Sequence, residues 1–139
     1  FVGAGIDLHL GTAVQKVSQQ AGTVQVDIKL DDGSSHSLQC ETVLNATGRI
    51  PNTRDLGLEA VGVAMDRAAI QVDDQMRASI PNIYAIGDVT GNAMLAHVAS
   101  HQAVVAAENI AGRDVRMDYN TVPAATFCHP EFLRPNKSR

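Results

Sequence analysis

The sequence predicts an α/β fold, and three observations carry that reading. Residues 23–30 alternate apolar and polar up to Asp32-Gly33, residues 42–47 form an apolar run ending on Gly48, and residues 93–111 hold the one long helical pattern. The 139 residues suit one ordinary domain, and 45% hydrophobic with 19% charged residues is a globular composition. Aromatics reach only 4%, with no Trp, so the core must be aliphatic.

In chain order, residues 6–10 alternate as a half-buried strand, which residues 13–18 continue after Gly11. Residues 23–30 put Val24, Val26, Ile28 and Leu30 on one face, and Asp32-Gly33 closes a hairpin whose second arm runs through 35–39. Residues 42–47 read as a buried strand. A punctuated stretch with Leu56, Leu58 and Val61 follows, then short strands at 69–72 and 83–86, the second ending at Gly87-Asp88. The helix over 93–111 takes Asn92 as N-cap and Gly112 just past its end. Its five interior alanines suit close packing on a sheet. Residues 121–127 read as a last strand. A meander, an isolated strand, one helix and one strand do not complete a layered domain, so the chain is expected to be a piece of a longer protein.

Charge and composition exclude several functions. The net charge is −4, and the basic balance sits in residues 131–139, so the acidic body offers no footprint for nucleic acid. Cys40 and Cys128 lie far apart without a zinc-type spacing. No apolar run approaches the roughly 18 residues of a membrane span, and no leader is visible, so the expected location is cytoplasmic.

Four motifs bear on chemistry. Gly3-Ala4-Gly5 lacks the third glycine of a dinucleotide fingerprint, because that position is Leu8. His97 and His101 have the spacing of two zinc ligands, but Val98 stands where a metalloprotease needs Glu, which favours a packing or surface role. Gly48 ends a strand with Arg49 beside it, which suits either a ligand contact or a plain exit turn. The fullest constellation is Asp88 at the carboxyl end of a strand, followed by Met94, Leu95, Ala96 and His97 opening a helix. A carboxylate there accepts hydroxyl groups, and the free N–H groups of a first helical turn favour a ligand bearing negative charge. An Asp serving only as a cap or ion-pair partner is the alternative.

These residues resemble the pyridine nucleotide–disulfide oxidoreductases, a flavoprotein family that includes dihydrolipoamide dehydrogenases, glutathione reductases and mercuric reductases. The match runs through Ala46-Thr47-Gly48-Arg49-Ile50-Pro51-Asn52-Thr53, Val72-Asp73-Asp74-Gln75-Met76-Arg77-Ala78-Ser79 and Pro81-Asn82-Ile83-Tyr84-Ala85-Ile86-Gly87-Asp88-Val89. It extends to Met94-Leu95-Ala96-His97 and from Asp118-Tyr119-Asn120 to His129-Pro130-Glu131, wording most similar to the dihydrolipoamide dehydrogenase branch. The resemblance implies a piece of a flavoprotein with two dinucleotide-binding domains. Residues 1–48 would end the NAD domain, 49–117 would be the second segment of the FAD domain, and 118–139 would begin a dimerisation domain with an atypical tail over 131–139.

The implied cofactors are FAD and NAD, with NADP left open. By the same resemblance Asp88 would bind the ribityl chain of FAD. Met94, Leu95 and Ala96 would offer N–H groups to the flavin pyrimidine edge, and Gly48 with Arg49 would flank the dinucleotide. Gly87 and His97 complete the implied cofactor-binding set. The implied reaction passes electrons from a small-molecule or lipoyl-carrier dithiol through flavin to NAD⁺, in a homodimer. The family's redox Cys pair, both phosphate-binding glycine motifs and the His–Glu pair are absent, so no catalytic residue is assigned and the chain alone is expected to be inactive. Another flavoprotein disulfide reductase, a soluble transhydrogenase or a non-catalytic flavin- or nucleotide-binding module are the competing readings.

Overall fold

The computed structural model describes residues 1–134. The chain forms two compact units, Phe1–Thr47 and Gly48–Arg139.

In the first unit, β1 (Ala13–Gln20), β2 (Thr23–Lys29) and β3 (Ser35–Cys40) make an antiparallel meander in the order β1-β2-β3. Gln20 pairs with Thr23, leaving Ala21-Gly22 as a two-residue turn with both φ positive, the geometry that matches strand twist. The second turn follows expectation: Gly33 N–H donates to the Leu30 carbonyl at 3.0 Å, with Gly33 at φ 83. Asp32 stiffens it by accepting from the Ser34 N–H and hydroxyl. A register shift between Val14 and Lys16 marks a bulge in β1. On β2, Ile28 is buried, while the opposite face joins Gln25 and Ser37 to one oxygen of Asp27 at 2.8 and 2.6 Å.

Two expected strands are missing here. Residues 6–10 carry no ladder, and residues 42–47 form no strand and are exposed, with Leu44 at 87%. Apolar alternation supplies a face but not a neighbour, and no described strand lies beside either segment to complete its hydrogen bonds.

The second unit holds little regular structure. β4 (Met65–Asp66) and β5 (Ala69–Ile70) form a minimal hairpin, and β6 (Ala124–Thr126) pairs with β7 (Phe132–Arg134). The expected strand over 83–86 is reduced to a bridge between Arg77 and Tyr84, flanked by Ala78 N–H to the Ile83 carbonyl and Ala85 N–H to the Met76 carbonyl. The expected strand over 121–127 splits into a 3-10 turn at Tyr119–Thr121, held by Asp118, and the shorter β6. The basic tail from 135 onward lies outside the described residues.

The helix, α1, spans Ala96–Ile110 and buries Val98, Gln102, Val105, Ala106 and Asn109, a single face at helical spacing. It packs on loops rather than a sheet: Val98, Val105 and Ala106 join Met76 and Met117, with Val72, Tyr84, Val115 and Val122 around them. A second cluster gathers Val63, Ile70 and Ala85. The end of α1 follows expectation. Gly112, at φ 84, donates to the Asn109 carbonyl and Arg113 N–H reaches the Glu108 carbonyl, the paired bonds of a Schellman stop. Asn109 then locks the end in place, donating to the carbonyls of Val105 and Val115 and accepting from Gln75.

Candidate functional site

The site is built where the chain leaves the Arg77–Tyr84 bridge and turns into α1. Gly87 has φ 74, and a side chain there would also stand 3.4 Å from the Ala99 methyl of α1, so glycine lets the turn lie against the helix. A 3-10 turn, Gly87–Thr90, follows, closed by Thr90 Oγ1–H to the Gly87 carbonyl at 2.8 Å and Gly91 N–H to the Asp88 carbonyl at 3.1 Å. This turn fixes the backbone of Asp88 and leaves its carboxylate half-exposed.

Arg49 meets that carboxylate at 2.8 Å, with the arginine side chain 72% and the aspartate side chain 40% exposed. An ion pair this wet contributes little to stability, so Asp88 keeps its accepting capacity for another group. Gly48, at φ 113, adjoins Arg49, and no heavy atom lies within 4 Å of where its Cβ would stand. The backbone is therefore open to close approach at that point.

The start of α1 differs from the expectation. Ala93 sits at φ 40 and Leu95 N–H turns back to the Ala93 carbonyl at 2.6 Å, so residues 91–95 stay a loop. Leu95, not Asn92, occupies the N-cap position, and no side chain caps the helix. The Leu95 N–H is thus already used within the chain. The N–H groups of Ala96, His97 and Val98 have no intrahelical partner, as in any first turn. Met94 is half-buried and Leu95 is 38% exposed.

His97 Nε2–H donates to the Pro123 carbonyl at 2.9 Å, which joins the start of α1 to the segment leading into β6. A nitrogen that donates a proton offers no lone pair to a metal. Among the described residues no group of three His, Cys, Asp or Glu side chains could hold a metal ion. His101 is exposed.

Gln102 is the site residue that sequence reading missed. Its side chain is fully buried, accepts from Gly87 N–H at 2.6 Å and donates to the Tyr119 hydroxyl at 2.8 Å. The available signal was a long polar side chain four residues after Val98, on the face that carries Val105 and Ala106.

Asp88 as acceptor and the uncapped first turn of α1 as donor form a set suited to a polyhydroxyl chain joined to an electron-poor or anionic group. The donor chemistry present fits the end of FAD that carries the ribityl chain and flavin ring. No helix among the described residues is long and apolar enough to cross a membrane.

The architecture is α/β, the kind of strand and helix mixture found in dinucleotide-binding flavoproteins. The pyridine nucleotide-disulphide oxidoreductase family matches residues 1–103, and the chain belongs to that family. It is 46% identical over 136 residues to the dihydrolipoyl dehydrogenase of Synechocystis sp., covering 91% of this chain and 28% of that protein. It is 44% identical over 133 residues to the dihydrolipoyl dehydrogenase of Mycobacterium leprae, covering 94% and 28%. Among solved structures it superposes on LpdA from Mycobacterium tuberculosis with a TM-score of 0.75 and 34% identity, over 86% of this chain and 26% of that one. The HOCl-induced flavoprotein disulfide reductase RclA from Escherichia coli gives 0.70 and 28%, over 86% and 27%. The chain thus spans just over a quarter of the length of these relatives.

Proposed function

We propose that this chain is part of an FAD-dependent dihydrolipoyl dehydrogenase and supplies part of its flavin site. The observation that carries the reading is the half-exposed Asp88 carboxylate on a turn that packs on α1, a helix whose first turn has no side-chain cap. The 41–46% identity to several dihydrolipoyl dehydrogenases supports that branch of the family. Bound flavin supplies a two-electron relay between a dithiol and NAD⁺.

Within that reading, Asp88 accepts hydroxyl groups of the ribityl chain, and Met94, Leu95, Ala96 and His97 line the approach to the flavin ring. The free N–H groups of the first turn of α1 face the pyrimidine edge, where they favour the anionic reduced ring. Gly87 shapes the turn, and Gly48 with Arg49 borders the nicotinamide dinucleotide. Residues 1–48 close the NAD domain, 49–117 form the second FAD segment, and 118–139 open a dimerisation domain. The enzyme is a cytoplasmic homodimer that uses FAD and NAD and takes electrons from a lipoyl dithiol.

The test is FAD titration of the full-length protein and of its Asp88→Asn and Asp88→Ala variants. A hydrogen bond to a charged group is worth about 1.5–3 kcal/mol, so Asp88→Ala should weaken FAD binding at least tenfold, with Asp88→Asn between the two. NAD⁺-linked oxidation of dihydrolipoamide should fall in step at subsaturating FAD. An unmodified protein that binds no FAD, or an Asp88→Ala variant that binds it equally well, refutes the assignment.

A further inference from the structure

Gln102 joins three parts of the second unit that share no strand. Gly87 N–H can only donate, so the side-chain oxygen must face it, and the amide nitrogen is thereby turned to Tyr119. The nitrogen donates to the Tyr119 hydroxyl, which accepts in this bond and keeps its own proton for another acceptor. The result is a directed chain, from Gly87 N–H to the Gln102 amide to the Tyr119 oxygen, inside a fully buried side chain. A polar group so buried holds its partners firmly, because losing either bond strands it away from water.

What Gln102 holds is the residue immediately before Asp88. The Gly87–Thr90 turn lies between α1 and the β4–β5 hairpin: its far end packs on the hairpin through Val89 and Gly91, and the Gly87 N–H bond ties its near end to the helix. Thr90 and Gly91 close the turn on itself, and neither of their bonds reaches α1. We propose that Gln102 is the positioning residue that fixes the Gly87–Asp88 turn against α1, and through Tyr119 against the 3-10 turn at Tyr119–Thr121, thereby aiming the Asp88 carboxylate. The aiming of Asp88 at a flavin rests on the function proposed above, whereas the placement of the turn does not.

A carboxylate in place of the amide would still accept from Gly87, but the Tyr119 hydroxyl would then have to donate inward. Gln102→Glu therefore keeps the Gly87 bond and reverses the one to Tyr119, and Gln102→Met removes both bonds at similar volume. In the full-length protein, amide exchange of Gly87 should quicken at least tenfold in Gln102→Met while the amides of Val105–Ile110 keep their rates. Gln102→Glu should restore Gly87 protection. FAD, titrated as the free cofactor, should bind Gln102→Met about tenfold more weakly.

Unchanged Gly87 exchange in Gln102→Met overturns the proposal whatever FAD does, as does an equal loss of protection along the whole of α1. Should Gln102→Met fail to fold, Tyr119→Phe loosens one end of the amide only, and Gly87 exchange about threefold faster is expected; no change overturns the proposal. An unmodified protein that binds no FAD but shows the Gly87 response retains the positioning role and refutes the flavin reading alone.

Discussion

The two units of this chain are held together in opposite ways. In Phe1–Thr47 the backbone does most of the work: three strands pair along nearly their full lengths, and among the described residues Ile28 is the buried apolar side chain. From Gly48 onward the ladders shrink to two or three residues, and side chains take over. One apolar cluster and the buried polar groups Gln75, Gln102 and Asn109 tie loops to α1, and a second cluster joins the loops to the β4–β5 hairpin. A ladder tolerates substitution of surface side chains, because its bonds belong to the main chain. A loop assembly depends on particular side chains, and cofactor sites sit readily on such loops.

The largest effect expected from this contrast is at Met76, 1% exposed and central to the cluster on α1. Met76→Ala should cost about 3 kcal/mol of unfolding free energy by denaturant titration. Amide exchange of β1–β3 should stay as it was; a matching loss of protection there would end the distinction between the units.

Asn109 comes next. Asn109→Leu removes a partner from the Val115 carbonyl and from Gln75, for about 2 kcal/mol. A cost as small as that of an exposed polar substitution, measured in the same titration, would mean that the polar network does not hold the loops.

Sequence alone carried the first unit further than the second, for a physical reason. Val24, Val26 and Ile28 at a period of two, with Gly33 able to take φ 83, specify a hairpin through local chemistry. Residues 42–47 and 83–86 have the same apolar character, yet pairing needs neighbours that no local pattern contains. At the site, the helix and its Gly112 stop were legible from periodicity and glycine capping, while Asp88, expected at a strand end, lies on a 3-10 turn after a single bridge. The true helix start was not, because it depends on Ala93 at φ 40, a conformation that alanine seldom adopts. The Arg49–Asp88 pair and the Gln102 chain join residues 39 and 15 positions apart, distances that periodicity cannot span.

The smallest effect belongs to the meander. The Ser37 hydroxyl first, and then the Gln25 amide, hold the Asp27 carboxyl below its usual value of 3.8. A depressed value in the folded state contributes stability above the usual value, which disappears as pH falls through the lower one. Acid titration of β1–β3, followed by circular dichroism, should therefore show a shallower acid limb in Asp27→Asn, with Ser37→Ala intermediate. An unchanged limb would leave the ladder independent even of its best-bonded side chain.

Val72 packs against both apolar clusters of the second unit and bridges Ala78 through its backbone. It acts as a rivet between two plates: neither cluster can loosen without uncovering a side chain the other also covers. That shared residue couples the β4–β5 hairpin to the helix, so heat should melt both in one cooperative step.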